Sequence, residues 1–214
     1  MNLAAMIDHT LLKPEATERD IVRLCHEAKE YHFASVCVNP AYVSVASKLL
    51  YGTGIGVAAV VGFPLGAALT ESKIQEVLAV KALGAREVDM VMNIGWAKSG
   101  AWDKVERDMS RVVECAHCCG MIIKVIIETA LLTQEEKKLA ADIVIRTGAD
   151  YVKTSTGFSG DGASVEDVRQ LREWVGDRVK IKASGGIRSK EGAMALIEAG
   201  ADRLGTSAGI AILQ

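Results

Sequence analysis

Short runs of β-branched and other apolar residues recur along the chain, separated by stretches in which apolar residues return every three or four positions. A short continuous apolar run suits a strand buried on both faces, and the helical spacing between runs suits crossover helices. The pattern is therefore that of a parallel sheet wound by helices. Candidate strands lie at residues 6–10, 35–38, 57–61, 87–92, 122–127, 151–154, 179–183 and 203–205. Candidate helices include 18–31 behind Thr17, 72–83 behind Thr70 and 134–147 behind Thr133, each threonine an expected N-cap. Eight strands alternating with helices predict an α/β fold, a (β/α)8 TIM barrel formed by residues 1–214 as a single domain. An open doubly wound sheet is the alternative.

A faint internal repeat favours the barrel. Leu83-Gly84-Ala85-Arg86, Thr147-Gly148-Ala149-Asp150 and Ala199-Gly200-Ala201-Asp202 each close a helix with glycine and enter a strand. Five residues beyond each glycine stand Asp89, Lys153 and Gly205. Matched offsets in a repeated unit predict matched heights in the barrel.

Composition narrows the partners. The chain has 214 residues, half of them apolar, and a formal net charge of −2 with both signs interspersed. There is no basic stripe for nucleic acid, no polybasic anchor and no apolar run long enough to span a bilayer, so neither nucleic acid nor membrane is an expected partner. Five cysteines, an odd number without a paired framework, suit a reducing compartment, and a cytoplasmic location is expected. The cluster Cys115-Ala116-His117-Cys118-Cys119 lacks a second ligand pair elsewhere, so its thiols are read as packing residues and no metal site is expected.

The chemistry is concentrated at strand ends. Lys153 and Lys182 each finish a short apolar run that leads into glycine. An ammonium carried into a packed strand end must be paired or lose its proton, and two close amines push each other toward neutrality. A free lysine, with a pKa of about 10.4, is about 0.1% neutral near physiological pH; reaching about 7.5 takes about 4 kcal/mol of destabilisation of the cation. A neutral amine condenses with a carbonyl, and the resulting iminium is an electron sink for a neighbouring C–C bond. Asp8, Cys37, Asp89 and Glu128 also fall at or near strand ends, and Asp89 is placed to move protons through a bound water. The plainer alternative makes both lysines rim residues in ordinary ion pairs with Asp89 and Asp8.

The loops at 183–188 and 204–209, after the last two strands, are where barrels of this kind hold phosphate with backbone N–H groups. Gly185, Gly186, Gly205 and Ser207 are the candidates there, and Thr156-Gly157 adds a further donor. His9 is read as a hydrogen-bonded structural residue, and His26, His32 and His117 as background on helices.

The motifs Ile7-Asp8-His9-Thr10-Leu11-Leu12-Lys13-Pro14, Val36-Cys37-Val38-Asn39-Pro40, Val60-Val61-Gly62-Phe63-Pro64-Leu65-Gly66, Glu87-Val88-Asp89-Met90-Val91, Val152-Lys153-Thr154-Ser155-Thr156-Gly157-Phe158 and Lys182-Ala183-Ser184-Gly185-Gly186-Ile187-Arg188 span the chain. In them the sequence resembles the deoxyribose-phosphate aldolases, Schiff-base aldolases with a TIM-barrel fold. The resemblance implies Lys153 as the imine-forming lysine, Asp89 as proton donor and acceptor, and Lys182 as the residue that tunes both. It implies that Gly185, Gly186 and Ser207 cradle the phosphate, and that Asp8, Thr10, Cys37 and Asn39 line the pocket.

The implied reaction is reversible cleavage of 2-deoxy-D-ribose 5-phosphate to D-glyceraldehyde 3-phosphate and acetaldehyde. It needs no cofactor, and the implied state is a cytoplasmic homodimer or higher homo-oligomer. Many relatives carry a polar tail ending in tyrosine, whereas this sequence stops at Gln214, which implies lower activity than the site residues alone suggest. Other lysine barrels acting on a different sugar phosphate, and a barrel that binds a sugar phosphate without catalysis, are the competing readings.

Overall fold

The computed structural model describes residues 2–160 and 162–214. Its strands are β1 (Ile7–Leu11), β2 (Ser35–Val38), β3 (Gly56–Val61), β4 (Glu87–Val91), β5 (Ile122–Ile126), β6 (Tyr151–Lys153), β7 (Lys180–Ser184) and β8 (Arg203–Thr206). They pair in parallel in chain order, and β8 returns to β1 to close the barrel. Around it run α1 (Glu18–Tyr31), α2 (Val43–Leu49), α3 (Thr70–Ala82), α4 (Ile94–Lys98), α5 (Trp102–Cys118), α6 (Gln134–Thr147), α7 (Val165–Val175), α8 (Lys190–Glu198) and α9 (Gly209–Leu213). The open-sheet alternative is excluded.

The local rules that predicted these elements are visible in them. Thr17 and Thr133 cap α1 and α6, each in a reciprocal capping box with the acid three residues on, Asp20 and Glu136. Thr70 departs from expectation. It is the first residue of α3 rather than the cap of a helix starting at Ser72, because its hydroxyl donates to Asp108 Oδ1 at 2.7 Å. The strand expected at 6–10 runs one residue later, as Met6 ends a short 3-10 turn, and that at 179–183 is likewise shifted to Lys180–Ser184.

Alternation along each strand divides the sheet into an outer face and an interior. Val88, Met90, Val152 and Ile181 pack outward into the large core shared with the helices. The interior is filled in layers of four side chains from alternate strands. Pairing registers place Ser35, Glu87, Tyr151 and Arg203 lowest, then Asp8, Ala58, Lys124 and Lys182, then Cys37, Asp89, Lys153 and Gly205. Asp89, Lys153 and Gly205 thus share one level, the spacing the repeat predicted. Most of the hydrophobic surface lies outside the barrel, and its axis carries a column of charge.

Candidate active site

Asp89, on β4, is the centre of this column. Its Oδ2 accepts from Lys153 Nζ and Lys182 Nζ, both at 2.7 Å, and its Oδ1 accepts from Lys124 Nζ at 3.0 Å. Lys182 reaches up from the layer below because Gly205, beside it on β8, has no side chain. A Cβ there would stand 3.0 Å from Lys182 Cε and 3.0 Å from Ser184 Cβ. Lys182 Nζ also lies 2.6 Å from Asp8 Oδ2, while Asp8 Oδ1 accepts from Ser35 Oγ and Arg203 Nη1, each at 2.6 Å. Below, Lys124 donates to Glu87 Oε2 at 2.5 Å.

Lys124, Lys153, Lys182 and Arg203 make four cationic groups against three carboxylates, Asp8, Glu87 and Asp89. With every group ionised the buried cluster carries one surplus positive charge. Such a charge is relieved most readily by release of one proton. Lys124 and Lys182 each have at least two carboxylates within reach, and their pKa values are raised despite burial by the attraction of Asp8 and Asp89, with Glu87 adding to it at Lys124. Lys153 has Asp89 alone, and shares that oxygen with Lys182. Its pKa is lowered, first by burial, against the pull of Asp89, and then by the Lys182 charge.

Two expectations change here. Desolvation, more than crowding by a second amine, drives Lys153 toward neutrality, and Lys182 is held charged. Asp89 and Asp8 are held ionised, far below the usual carboxylate range, as the facing cations outweigh burial.

Lys153 is the member of this cluster that lines the cavity at the barrel mouth. A cavity of about 380 Å³ lies over the C-terminal end of the barrel, lined by Lys153 together with Thr10, Thr156, Gly157, Gly185, Gly186, Gly205 and Ser207. Asp8, Cys37 and Asn39 do not line it. Asp8 is buried a layer below, holding Lys182 and Arg203. Cys37 sits in an apolar interior patch with Leu12, Ala58 and Val60, its Sγ 3.9 Å from Asp89 Oδ2, and burial with the Asp89 charge pushes the thiol up to about 11. Asn39 donates through Nδ2 to the Leu12 carbonyl at 3.2 Å and fixes the loop after β1.

Gly185 and Gly186 have φ of 83° and 75°, and Gly185 lies against Gly162, where a Cβ on Gly185 would come within 2.9 Å of the Gly162 Cα. Side chains at this crossing are therefore excluded on steric grounds.

Several contributors escaped the sequence reading. Lys124 sits inside the apolar run Ile122-Ile123-Lys124-Val125-Ile126 with no glycine after it; the signal was an isolated lysine on the inward parity of a strand. Arg203 and Glu87 open two strands and read as ordinary flanking charges. Lys13 and Arg188 bring cationic side chains to the cavity rim. In the cysteine cluster, Cys115 and Cys119 are half-buried and pack against the core as expected, whereas Cys118 is exposed and packing does not account for it. His9 is buried as expected, its Nε2 2.6 Å from Glu27 Oε2.

The profile of the DeoC/LacD family aldolases matches residues 3–214. A deoxyribose-phosphate aldolase of Desulfitobacterium hafniense (strain DSM 10664 / DCB-2) is 69% identical over 213 residues, covering 100% of this chain and 98% of its own. One from Thermoanaerobacter sp. (strain X514) is 52% identical over 215 residues, covering 100% and 96%. Among solved structures, the deoxyribose phosphate aldolase of Aeropyrum pernix, described as having a unique tetrameric structure, superposes with a TM-score of 0.92 at 39% identity, over 99% of this chain and 89% of that one. With a family profile spanning nearly its whole length and relatives of this similarity, the chain belongs to the DeoC/LacD family of aldolases.

Proposed function

We propose that this protein reversibly cleaves 2-deoxy-D-ribose 5-phosphate to D-glyceraldehyde 3-phosphate and acetaldehyde through an imine on Lys153. The observation that carries the reading is one buried amine of lowered pKa, 2.7 Å from an ionised carboxylate and open to a cavity at the barrel mouth. The names of the relatives support the substrate.

The neutral Lys153 amine attacks the C1 aldehyde of the open-chain sugar. As the C–N bond forms, the amine proton passes to the nearby Asp89 carboxylate, and the carbinolamine hydroxyl, protonated in turn, leaves as water. The iminium that results is a cation fixed at nitrogen, beside the carboxylate that already holds Lys153, so the site is organised for it in advance. Loss of the C3 hydroxyl proton through a water to Asp89 sends the C2–C3 bonding pair into the iminium. D-glyceraldehyde 3-phosphate departs and an enamine remains. The same proton returns from Asp89 to C2, and hydrolysis of the iminium releases acetaldehyde and restores the amine.

Lys182 and Lys124 keep Asp89 a weak base, so that it carries a proton only briefly. Lys13, Arg188 and the glycine-rich loops at the mouth supply charge and close backbone approach for the phosphate.

Wild-type protein incubated with 2-deoxy-D-ribose 5-phosphate is expected to release acetaldehyde, and Lys153→Leu and Asp89→Asn to fall to background. Failure of the wild type to do so refutes the reading. A homo-oligomeric state is inferred with it, supported by the tetrameric relative. Among the described residues no helix is long and apolar enough to cross a membrane. Free cysteines suit the cytoplasm as the compartment.

A further inference from the structure

Glu128 takes no part in the chemistry above, yet it is fully buried at the mouth of the barrel and adopts φ 56°, ψ 68°. That left-handed conformation is rare for a residue with a side chain, and such strain persists where the surroundings demand it. It falls just after β5, where the chain stops following the sheet. The turn is fixed on both sides of the residue: Thr129 N–H donates to the Thr154 carbonyl at 3.0 Å, and Leu131 N–H to the Glu128 carbonyl at 3.0 Å.

The carboxylate is spent on the neighbouring loop, the one that follows β6. It accepts the Thr156 backbone N–H, at 3.1 Å to Oε1 and 3.3 Å to Oε2, and the Thr156 hydroxyl at Oε2. The same hydroxyl accepts from Phe158 N–H at 3.0 Å. The hydroxyl's single hydrogen is thereby committed to Glu128 and one of its two lone pairs to Phe158. The result is a directed relay that ties residues 156–158 to the end of β5. Those three residues form one wall of the cavity. Phe158 also meets Phe63 edge to face across the mouth, with centroids 5.2 Å apart.

Burial raises the Glu128 carboxyl, the Thr156 donors and the Lys153 charge oppose that rise, and the residue thus stands in the field of the reactive amine without touching it.

We infer that Glu128 is a positioning residue. It holds the wall formed by residues 156–158 in the shape that grips the phosphorylated sugar, and so sets affinity for that substrate while leaving the reaction of Lys153 with a small aldehyde unchanged. The inference rests on the function proposed above and deepens it. A carboxylate meets both the Thr156 N–H and the Thr156 hydroxyl hydrogen as an acceptor. An amide meets one of them with an N–H group, which either leaves the Thr156 N–H unpaired or reverses the hydroxyl, and each outcome breaks the relay.

Two variants test this, with KM for 2-deoxy-D-ribose 5-phosphate measured beside the initial rate of borohydride capture of acetaldehyde on Lys153. Glu128→Gln removes the charge. Glu128→Gly removes the carboxylate but accepts the left-handed backbone, so the fold is retained if strain was the only concern. Both are expected to raise KM about tenfold, the loss expected when charge-assisted hydrogen bonds are broken. Capture by acetaldehyde should stay within about twofold of wild type, below the tenfold effect of an interaction worth 1.4 kcal/mol. The amides of residues 156 and 158 should exchange faster with solvent. Wild-type KM in both variants overturns the inference, as does a fall in acetaldehyde capture that parallels the fall in turnover. A wild-type protein that neither turns over nor captures acetaldehyde fails the proposed function itself and the inference with it.

Discussion

Three lysines donate to a single carboxylate in this barrel, and their different surroundings assign them different work. Lys182 and Lys124 are each locked by two or more acids, and Lys153 is the amine with least compensation. Replacing Lys182 by leucine removes a like charge from beside Lys153 and leaves Asp89 freer to pair with it, so the Lys153 pKa rises. Its neutral form then becomes scarcer at any pH below that value, by tenfold per pKa unit. Imine formation at neutral pH is expected to fall at least about tenfold and the pH–rate profile to move toward alkali. An unchanged profile removes Lys182 from the tuning of Lys153.

A lowered lysine pKa also means that folding disfavours the protonated amine, which destabilises the protein at neutral pH and ceases to do so as pH rises through the unfolded value of about 10.4. Lys153→Met should therefore abolish turnover and raise Tm by roughly 2–4 °C, the pattern of a site where function opposes stability. A lower Tm contradicts it. Lys153 and Lys182 were legible because charge at a strand end before glycine has few structural uses, and Asp89 because it shares the offset of Lys153 in the repeat. Lys73, which is fully buried outside the barrel against Asp108 at 2.6 Å, and Lys124 were not, since Lys73 reads as an ordinary helical lysine and Lys124 sits inside an apolar run with no glycine after it.

At the level of strands and loops, what matters is which elements bring a side chain to a given height. Gly205 shows how fine the fit is. Its backbone does not require glycine, but a Cβ would meet the rigid Ser184 Cβ and the movable end of Lys182. Gly205→Ala should displace the Lys182 ammonium from Asp89, lowering kcat by at least about tenfold while costing only about 1–3 kcal/mol of stability. Equal kcat in the alanine variant shows that Lys182 does not depend on that space.

The strands were readable from their apolar runs, and α1 and α6 from the threonine that caps each of them. The start of α3 was misplaced because a tertiary partner, Asp108, took the threonine hydroxyl that local rules assign to capping. The left-handed Glu128 was unreadable for the same reason: its carboxylate answers donors on a different loop.

For the whole molecule, the carboxylates on the barrel axis stabilise the fold while they remain ionised among the facing cations. Asp8 and Asp89 have pKa values depressed on folding, so their contribution is present above the unfolded carboxyl value, about 3.9, and is lost as pH falls below it toward the folded values. Stability measured by denaturant unfolding should thus decline steeply below about pH 4. Asp8→Asn, which leaves Lys182 and Arg203 short of a buried partner, should lose about 3–5 kcal/mol at neutral pH and show a shallower acid decline. An acid profile identical to wild type in that variant removes Asp8 from the charged core.

The closed barrel was legible because its repeat carries Asp89, Lys153 and Gly205 at one offset. The balance of four cations against three carboxylates was not, since it depends on which side chains share the interior. That balance is the ground on which Lys153 is proposed as the nucleophile, and reductive capture tests it most directly. After incubation of wild-type protein with acetaldehyde and borohydride, peptide mass spectrometry should find a two-carbon adduct on Lys153 and none on Lys124 or Lys182. An adduct on either of those two lysines, or none at all, contradicts the assignment.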